Sequence, residues 1–278
     1  MGNVDSDPET LRDTAERLAA EAADFVARRR REVFDAGRVE VRTKSTPTDP
    51  VTVVDTETER LLRTRLEQLR PGERILGEEE GGPHGSGDGE LMWVLDPIDG
   101  TVNFLYGIEA YAVSVGVQRD GVSVAGAVAD VAAGAVYSAA LGHGARVRRA
   151  GVVTALRCSA VQDLPTALVG TGFSYDRARR ERQGQVVARL LPQVRDLRRM
   201  GSCALDLCMV AAGRLDAYFE DGVQRWDWAA GALIAAEAGA RVRLPSALDG
   251  PGLVIAAAPG VSAAFDAELQ RAGAVGDA

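Results

Sequence analysis

Apolar residues recur at positions 11, 15, 18, 22, 25, 26 and 33, within DPETLRDTAERLAAEAADFVARRRREVF. That spacing is the stripe of an amphipathic helix. Asp7 or Ser6 stands at its N-cap, and Pro8 takes the first helical position, where a missing N–H does no harm. Arg28 to Arg31 near its end read as a solvated face that complements the helix dipole. VEVR predicts a short strand, and TKSTPTDPVTVVD a proline-broken loop ending in a helix start. A second amphipathic helix is expected over TETERLLRTRLEQLR, stopped by Pro71 and Gly72. RILGEEE reads as a strand entering a loop, GGPHGSGDG as an exposed connection, and LMWVLD as a buried strand. YAVSVGVQRDG, VSVAGAVADV and GAVYSAALG then read as an antiparallel meander.

The second half changes character. TALVGT, RDLRRMG, LDAYFE and GLVIAAA predict strands. Between and after them, RARRERQGQVVARLLP, SCALDLCMVAAGR, WDWAAGALIAAEAG and VSAAFDAELQRAG predict helices. Such alternation is that of an α/β layer. A soft boundary falls near Gly151 to Cys158, without a linker that would separate independent domains.

Composition narrows the function. Of 278 residues, 46% are hydrophobic and only 5% aromatic, so the core is expected to be built from small aliphatic side chains. A net charge of −8 argues against a general nucleic-acid binder. Three cysteines at unrelated spacings fit reduced thiols and a cytoplasmic protein. Long apolar runs are broken by Gly or Asp, so no membrane span is expected. With only His84 and His143 available, the chemistry must lean on carboxylates.

The carboxylates crowd at strand ends and helix starts. Glu78 and Glu79 follow RILG, Asp96 and Asp99 flank Pro97 and Ile98, and Asp227 opens a helix in RWDWAAG. Taken singly, each reads as a cap or turn residue, Asp99 before Gly100 above all. Taken together, they repel one another unless cations neutralise them. An all-oxygen set suits Mg²⁺ or Mn²⁺ better than Zn²⁺. Two such ions about 4 Å apart can hold an attacking water and a leaving oxygen in line. The N–H groups of Gly100 and Thr101 are then candidates to receive phosphate oxygens.

WVLDPIDGTVNF resembles the first signature of the inositol monophosphatase family, and WDWAAGALIAAEAGA its second. KSTPTDPVTVVD and LGEEE resemble its two upstream motifs, in the same order. RRMGSCALDLCMVAAGRLDAYFE is similar to its bacterial, especially actinobacterial, members. The resemblance implies an α+β fold, a layered α-β-α-β-α sandwich of the sugar-phosphatase type. It implies a single domain over 8–272, with a β-rich metal-binding half (8–155) and an α/β half (156–272). Glu78, Asp96, Asp99 and Asp227, with the Ile98 carbonyl, match the metal ligands. Asp55 and Thr101 match a pair that polarises the attacking water, with Glu78 helping. Ile98, Asp99 and Asp227 also border the substrate, and the amides of Gly100 and Thr101 face its phosphate. Glu220 matches an acid that grips sugar or cyclitol hydroxyls. Gly201, Ser202 and Cys203 match a helix start lining the substrate, Arg198 a nearby basic residue, and Lys44 a loop supporting a weaker metal site. Cys203 departs from the Ala of many relatives, and Trp228 fills a variable slot. Neither change removes a ligand.

The resemblance further implies Mg²⁺, two or three ions per site, inhibition by Li⁺, and a homodimer. The expected reaction is hydrolysis of a small phosphorylated polyol without a covalent intermediate. Inositol 1-phosphate comes first, because Glu220 offers an acceptor for vicinal hydroxyls. Histidinol phosphate and fructose 1,6-bisphosphate remain alternatives. A 3′-phosphoadenosine phosphate is less expected, since no adenine-stacking aromatics lie near the motifs. A reading of another class is a regulatory partner of the transcription machinery, associating with RNA polymerase on the same fold.

Overall fold

The structure is a computed structural model that describes residues 6–35, 41–43, 50–83 and 89–274. Lys44, with most of its loop, and the centre of GGPHGSGDG, including His84, lie outside the described residues. The first predicted helix is α1 (Pro8–Asp35), whose Leu11, Ala15, Leu18, Ala22 and Val26 are all buried. A two-stranded ribbon, β1 (Val41–Thr43) with β2 (Pro50–Thr52), leads into α2 (Val53–Leu69). Thr52 caps α2 in a capping box with Asp55.

A seven-stranded sheet follows in chain order: β3 (Arg74–Gly77), β4 (Leu91–Asp99), β5 (Ala112–Arg119), β6 (Val122–Asp130), β7 (Ala135–Ala140), β8 (Ala145–Arg149) and β9 (Val152–Ala155). Only β3 and β4 run parallel; every other neighbouring pair is antiparallel. The short helix α3 (Thr101–Tyr106) interrupts the meander after β4. The second sheet contains β10 (Leu168–Thr171), β11 (Asp196–Arg198), β12 (Ala217–Val223), β13 (Arg241–Arg243) and β14 (Gly252–Ala257), in the order β11-β10-β12-β14-β13. Its helices are α4 (Arg177–Leu190), α5 (Cys203–Ala211), α6 (Arg225–Glu237) and α7 (Ser262–Ala272).

The elements stack as α-β-α-β-α. Helices α1 and α2 cover one face of the large sheet, α5 and α6 lie between the sheets, and α4 pairs with α7 beyond the smaller sheet. The small-residue composition explains the close approach of α6. A Cβ at Gly116 would stand 2.8 Å from the Ala229 Cβ, and one at Gly126 2.9 Å from the Ala230 Cα. Glycine on the sheet and alanine on the helix therefore bring the start of α6 down onto β5 and β6.

The arginine run departs from the solvated-face expectation. Arg29 pairs with Glu57 of α2, Nε to Oε2 at 2.8 Å. Arg30 donates to the Phe104 carbonyl at 3.2 Å and lies over the rings of Phe34 and Phe104. Both join α1 to elements beside the acidic turn. Among the described residues no helix is long and apolar enough to cross a membrane.

Candidate active site

Strand β4 is buried along its whole length and delivers its last residues into a cleft between the two sheets. Its pairing with β5 slips between Asp96 and Asp99, so the chain turns and both carboxylates face the same space. Asp227 reaches them from the first turn of α6. One ligand atom from each of Asp96, Asp99 and Asp227 lies within 4.8 Å of the others. Donors of the chain steer these groups. Asp96 Oδ1 accepts the Ile98 N–H at 3.0 Å, and Asp227 Oδ2 the Gln224 N–H at 2.6 Å. Asp99 Oδ2 accepts both the Ser202 hydroxyl and the Ala204 N–H at 2.6 Å, at the start of α5.

The turn after Asp99 needs glycine. Gly100 has φ +100°, and a Cβ there would stand 2.9 Å from the Ala110 carbonyl oxygen. Asn103, which sequence reading passed over, fixes this corner by donating to the carbonyls of Ala110 and Met200, each at 2.7 Å. Thr101 Oγ1 lies 3.1 Å from Asp55 Oδ1 and 3.0 Å from the Ile98 carbonyl. Asp55 Oδ2 accepts from the Thr52 N–H at 2.9 Å and the Thr52 hydroxyl at 2.5 Å.

A cavity of about 540 Å³ opens over this floor. Glu78, Asp96, Ile98, Asp99, Gly100, Thr101, Gly201, Cys203, Glu220 and Asp227 line it together. Ser202 is buried behind Asp99 rather than on the wall. Arg198 is also off the wall: it points along β11 to Asp196, Nη1 to Oδ2 at 2.6 Å, and the neighbouring Arg199 lines the cavity instead. Arg198 is the last residue of β11 and Arg199 the first beyond it, where the chain leaves the strand beside the cleft. Glu220 sits where Gly172 leaves room, since a Cβ there would stand 1.9 Å from Glu220 Oε2. The Tyr218 hydroxyl donates to Glu220 Oε2 at 2.6 Å.

Burial raises the Asp96 carboxyl well above its ordinary range, and the charges of Glu78, Asp99 and Asp227 add to the effect. Asp227 is raised in the same way. Burial pushes Asp99 up to about 7, opposed by its Ser202 and Ala204 hydrogen bonds. Burial also raises Glu220, against the Tyr218 hydrogen bond and the Arg199 charge. A buried, mutually repelling, all-oxygen set of this kind fits hard divalent cations.

The raised carboxyls set a pH dependence for the metal-free protein. Between an unfolded carboxylate's usual range and about 7, the folded state holds more protons than the unfolded one. Its stability therefore falls as pH rises through that window, and cations that neutralise the site restore it. The rise in melting temperature on adding Mg²⁺ is expected to be larger at pH 8 than at pH 5. Equal rises at the two pH values would contradict this electrostatic account.

Residues 7–272 match the inositol monophosphatase family. The inositol-1-monophosphatase of Mycobacterium leprae is 64% identical over 96% of both chains. The solved structure of Mycobacterium tuberculosis SuhB aligns with a TM-score of 0.84 at 58% identity, covering 96% of this chain and 98% of that one. The Nus factor SuhB of Vibrio cholerae is 35% identical over 81% of this chain and 82% of its own length. The chain belongs to the inositol monophosphatase family, and it is a phosphatase. The layered α+β sandwich is the architecture it shares with these relatives.

Proposed function

We propose that this protein hydrolyses inositol 1-phosphate to inositol and phosphate, with Mg²⁺ as cofactor, two or three ions per site. One observation carries the reading: the Asp96, Asp99 and Asp227 oxygens converge on the floor of the cavity whose wall holds Glu220. Asp96, Asp99, Asp227, Glu78 and the Ile98 carbonyl would hold the cations. When bound, the cations supply charge neutralisation at the phosphate and acidify a water. Asp55, fixed by Thr52, takes the hydroxyl proton of Thr101 in a hydrogen bond. The Thr101 oxygen can then accept a hydrogen bond from the attacking water and orient it, with Glu78 as the nearby base. Gly100 and Thr101 offer their N–H groups to the phosphate oxygens.

No covalent intermediate is needed. Cys203, the thiol on the wall, is held protonated by burial, which removes it as a nucleophile. The reading includes a homodimer acting in the cytoplasm, in accord with three cysteines that form no disulfide. The Vibrio relative's name supports a second role beside catalysis, association with transcription machinery, which a pull-down with RNA polymerase tests.

Glu220 tests the substrate class. A hydrogen bond to a charged group contributes roughly 1.5–3 kcal/mol. Glu220→Gln is therefore expected to lower kcat/KM for inositol 1-phosphate by about tenfold or more. A simple aryl phosphate, with no hydroxyls to grip, should be nearly unaffected. Equal losses on both substrates would show that Glu220 supports the fold or the metal site, and the inositol reading would lose its footing.

A further inference from the structure

The turn that carries Glu78 is held from outside by a carboxylate with no part in the chemistry above. Glu59 of α2 is 0% exposed, and both its oxygens accept main-chain N–H groups of that turn. Oε2 accepts from Glu79 at 2.7 Å, and Oε1 from Glu80 at 3.0 Å. Arg63, one helical turn further on, stands 2.8 Å from Glu59 Oε1 through Nη2. The same nitrogen donates to the Gly81 carbonyl at 2.5 Å, and that carbonyl accepts the Gly77 N–H at 3.0 Å. Residues 77–81 thus form a closed loop around an internal anion, with successive amides aimed inward. Gly77 admits the anion: a Cβ there would stand 2.1 Å from Glu59 Oε1.

Asp55 and Glu59 lie four residues apart on α2, hence on one face of the helix. Asp55 meets Thr101 on the β4 turn, and Glu59 meets the β3 loop. One rigid helix therefore sets both arms of the site against each other. Glu78, immediately before the clamped amides, is placed beside Asp96 by this arrangement.

We propose that Glu59 is a positioning residue for the metal centre, acting through the 77–81 loop to hold Glu78 at the cation site. The proposal rests on the reading of Glu78 as a metal ligand. It is tested by direct Mn²⁺ binding, measured by calorimetry on the full chain, with folding checked by circular dichroism. Glu59→Gln keeps the shape but turns an NH₂ group toward one of two N–H donors. Loss of a group that orients a ligand commonly weakens metal binding by about 10–100-fold. Both Glu59→Gln and Glu78→Gln are expected to weaken Mn²⁺ binding by at least about tenfold. The double variant should bind no more weakly than Glu78→Gln alone, because the two losses act through one side chain. Unchanged Mn²⁺ binding in Glu59→Gln, or losses that multiply in the double variant, would overturn the proposal, since multiplied losses mean a general loosening of the fold. Unchanged binding in Glu78→Gln would instead remove the ligand reading beneath it. If Glu59→Gln does not fold, Gly77→Ala displaces the carboxylate while keeping its charge, and the same binding comparison with Glu78→Gln decides.

Discussion

Asp99→Asn is expected to lower turnover of inositol 1-phosphate by at least about 100-fold, beyond the usual effect of removing a residue that merely supports a ligand. The fold should survive. The amide oxygen can still accept from the Ser202 hydroxyl and the Ala204 N–H, both at 2.6 Å from Asp99 Oδ2. Burial opposes charge on Asp99, so a neutral amide relieves the metal-free protein of a desolvated carboxylate. Activity and stability should thus part company, with turnover lost and the metal-free melting temperature equal to or above that of the parent. Near-normal turnover at saturating Mg²⁺ would remove Asp99 from the site.

The second large effect concerns water rather than metal. Thr101→Ala is expected to lower kcat by about 10²–10⁴-fold, the range for loss of proton-handling groups. Mg²⁺ binding should change much less. Asp55 keeps its two Thr52 hydrogen bonds in the variant, so its carboxylate stays in place while its link to the water is gone. Thr101→Ser should restore most of the rate, since the hydroxyl alone carries the role. A Thr101→Ala protein that recovers full kcat at high Mg²⁺ would show that the hydroxyl supports metal binding instead.

Much of this was legible in the sequence where burial and periodicity coincide. The run LMWVLD, the meander after it and the helix opening at Asp227 all carry apolar patterns strong enough to read. The elements that escaped notice lack such patterns. Strand β9 is exposed at every position, and β8 is mostly arginine after Ala145, so neither shows a buried face in sequence. Helix α3 has six residues, too few for a helical stripe. Strand β13 has three residues, two of them exposed arginines.

The site divides along the same line. Its carboxylates were readable because their crowding is chemically expensive, whereas the residues that hold them are ordinary polar side chains. Glu59 looks like one more charge on an amphipathic helix. The signal that could have found it is its register: Asp55 and Glu59 fall on the same stripe as the buried Leu62 and Leu66. Arg198 and Arg199 illustrate the opposite case. Two adjacent arginines give no clue which one faces the cleft until the end of β11, between them, is placed.

The Asp96, Asp99 and Asp227 cluster is proposed to hydrolyse an inositol phosphate with a metal ion. The most direct test is phosphate release by the purified protein from inositol 1-phosphate, histidinol phosphate and fructose 1,6-bisphosphate, each with Mg²⁺ and with a chelator. The highest kcat/KM is expected for inositol 1-phosphate, abolished by the chelator and restored by Mg²⁺. Release that persists in the chelator, or a higher kcat/KM for either competing substrate, would contradict it.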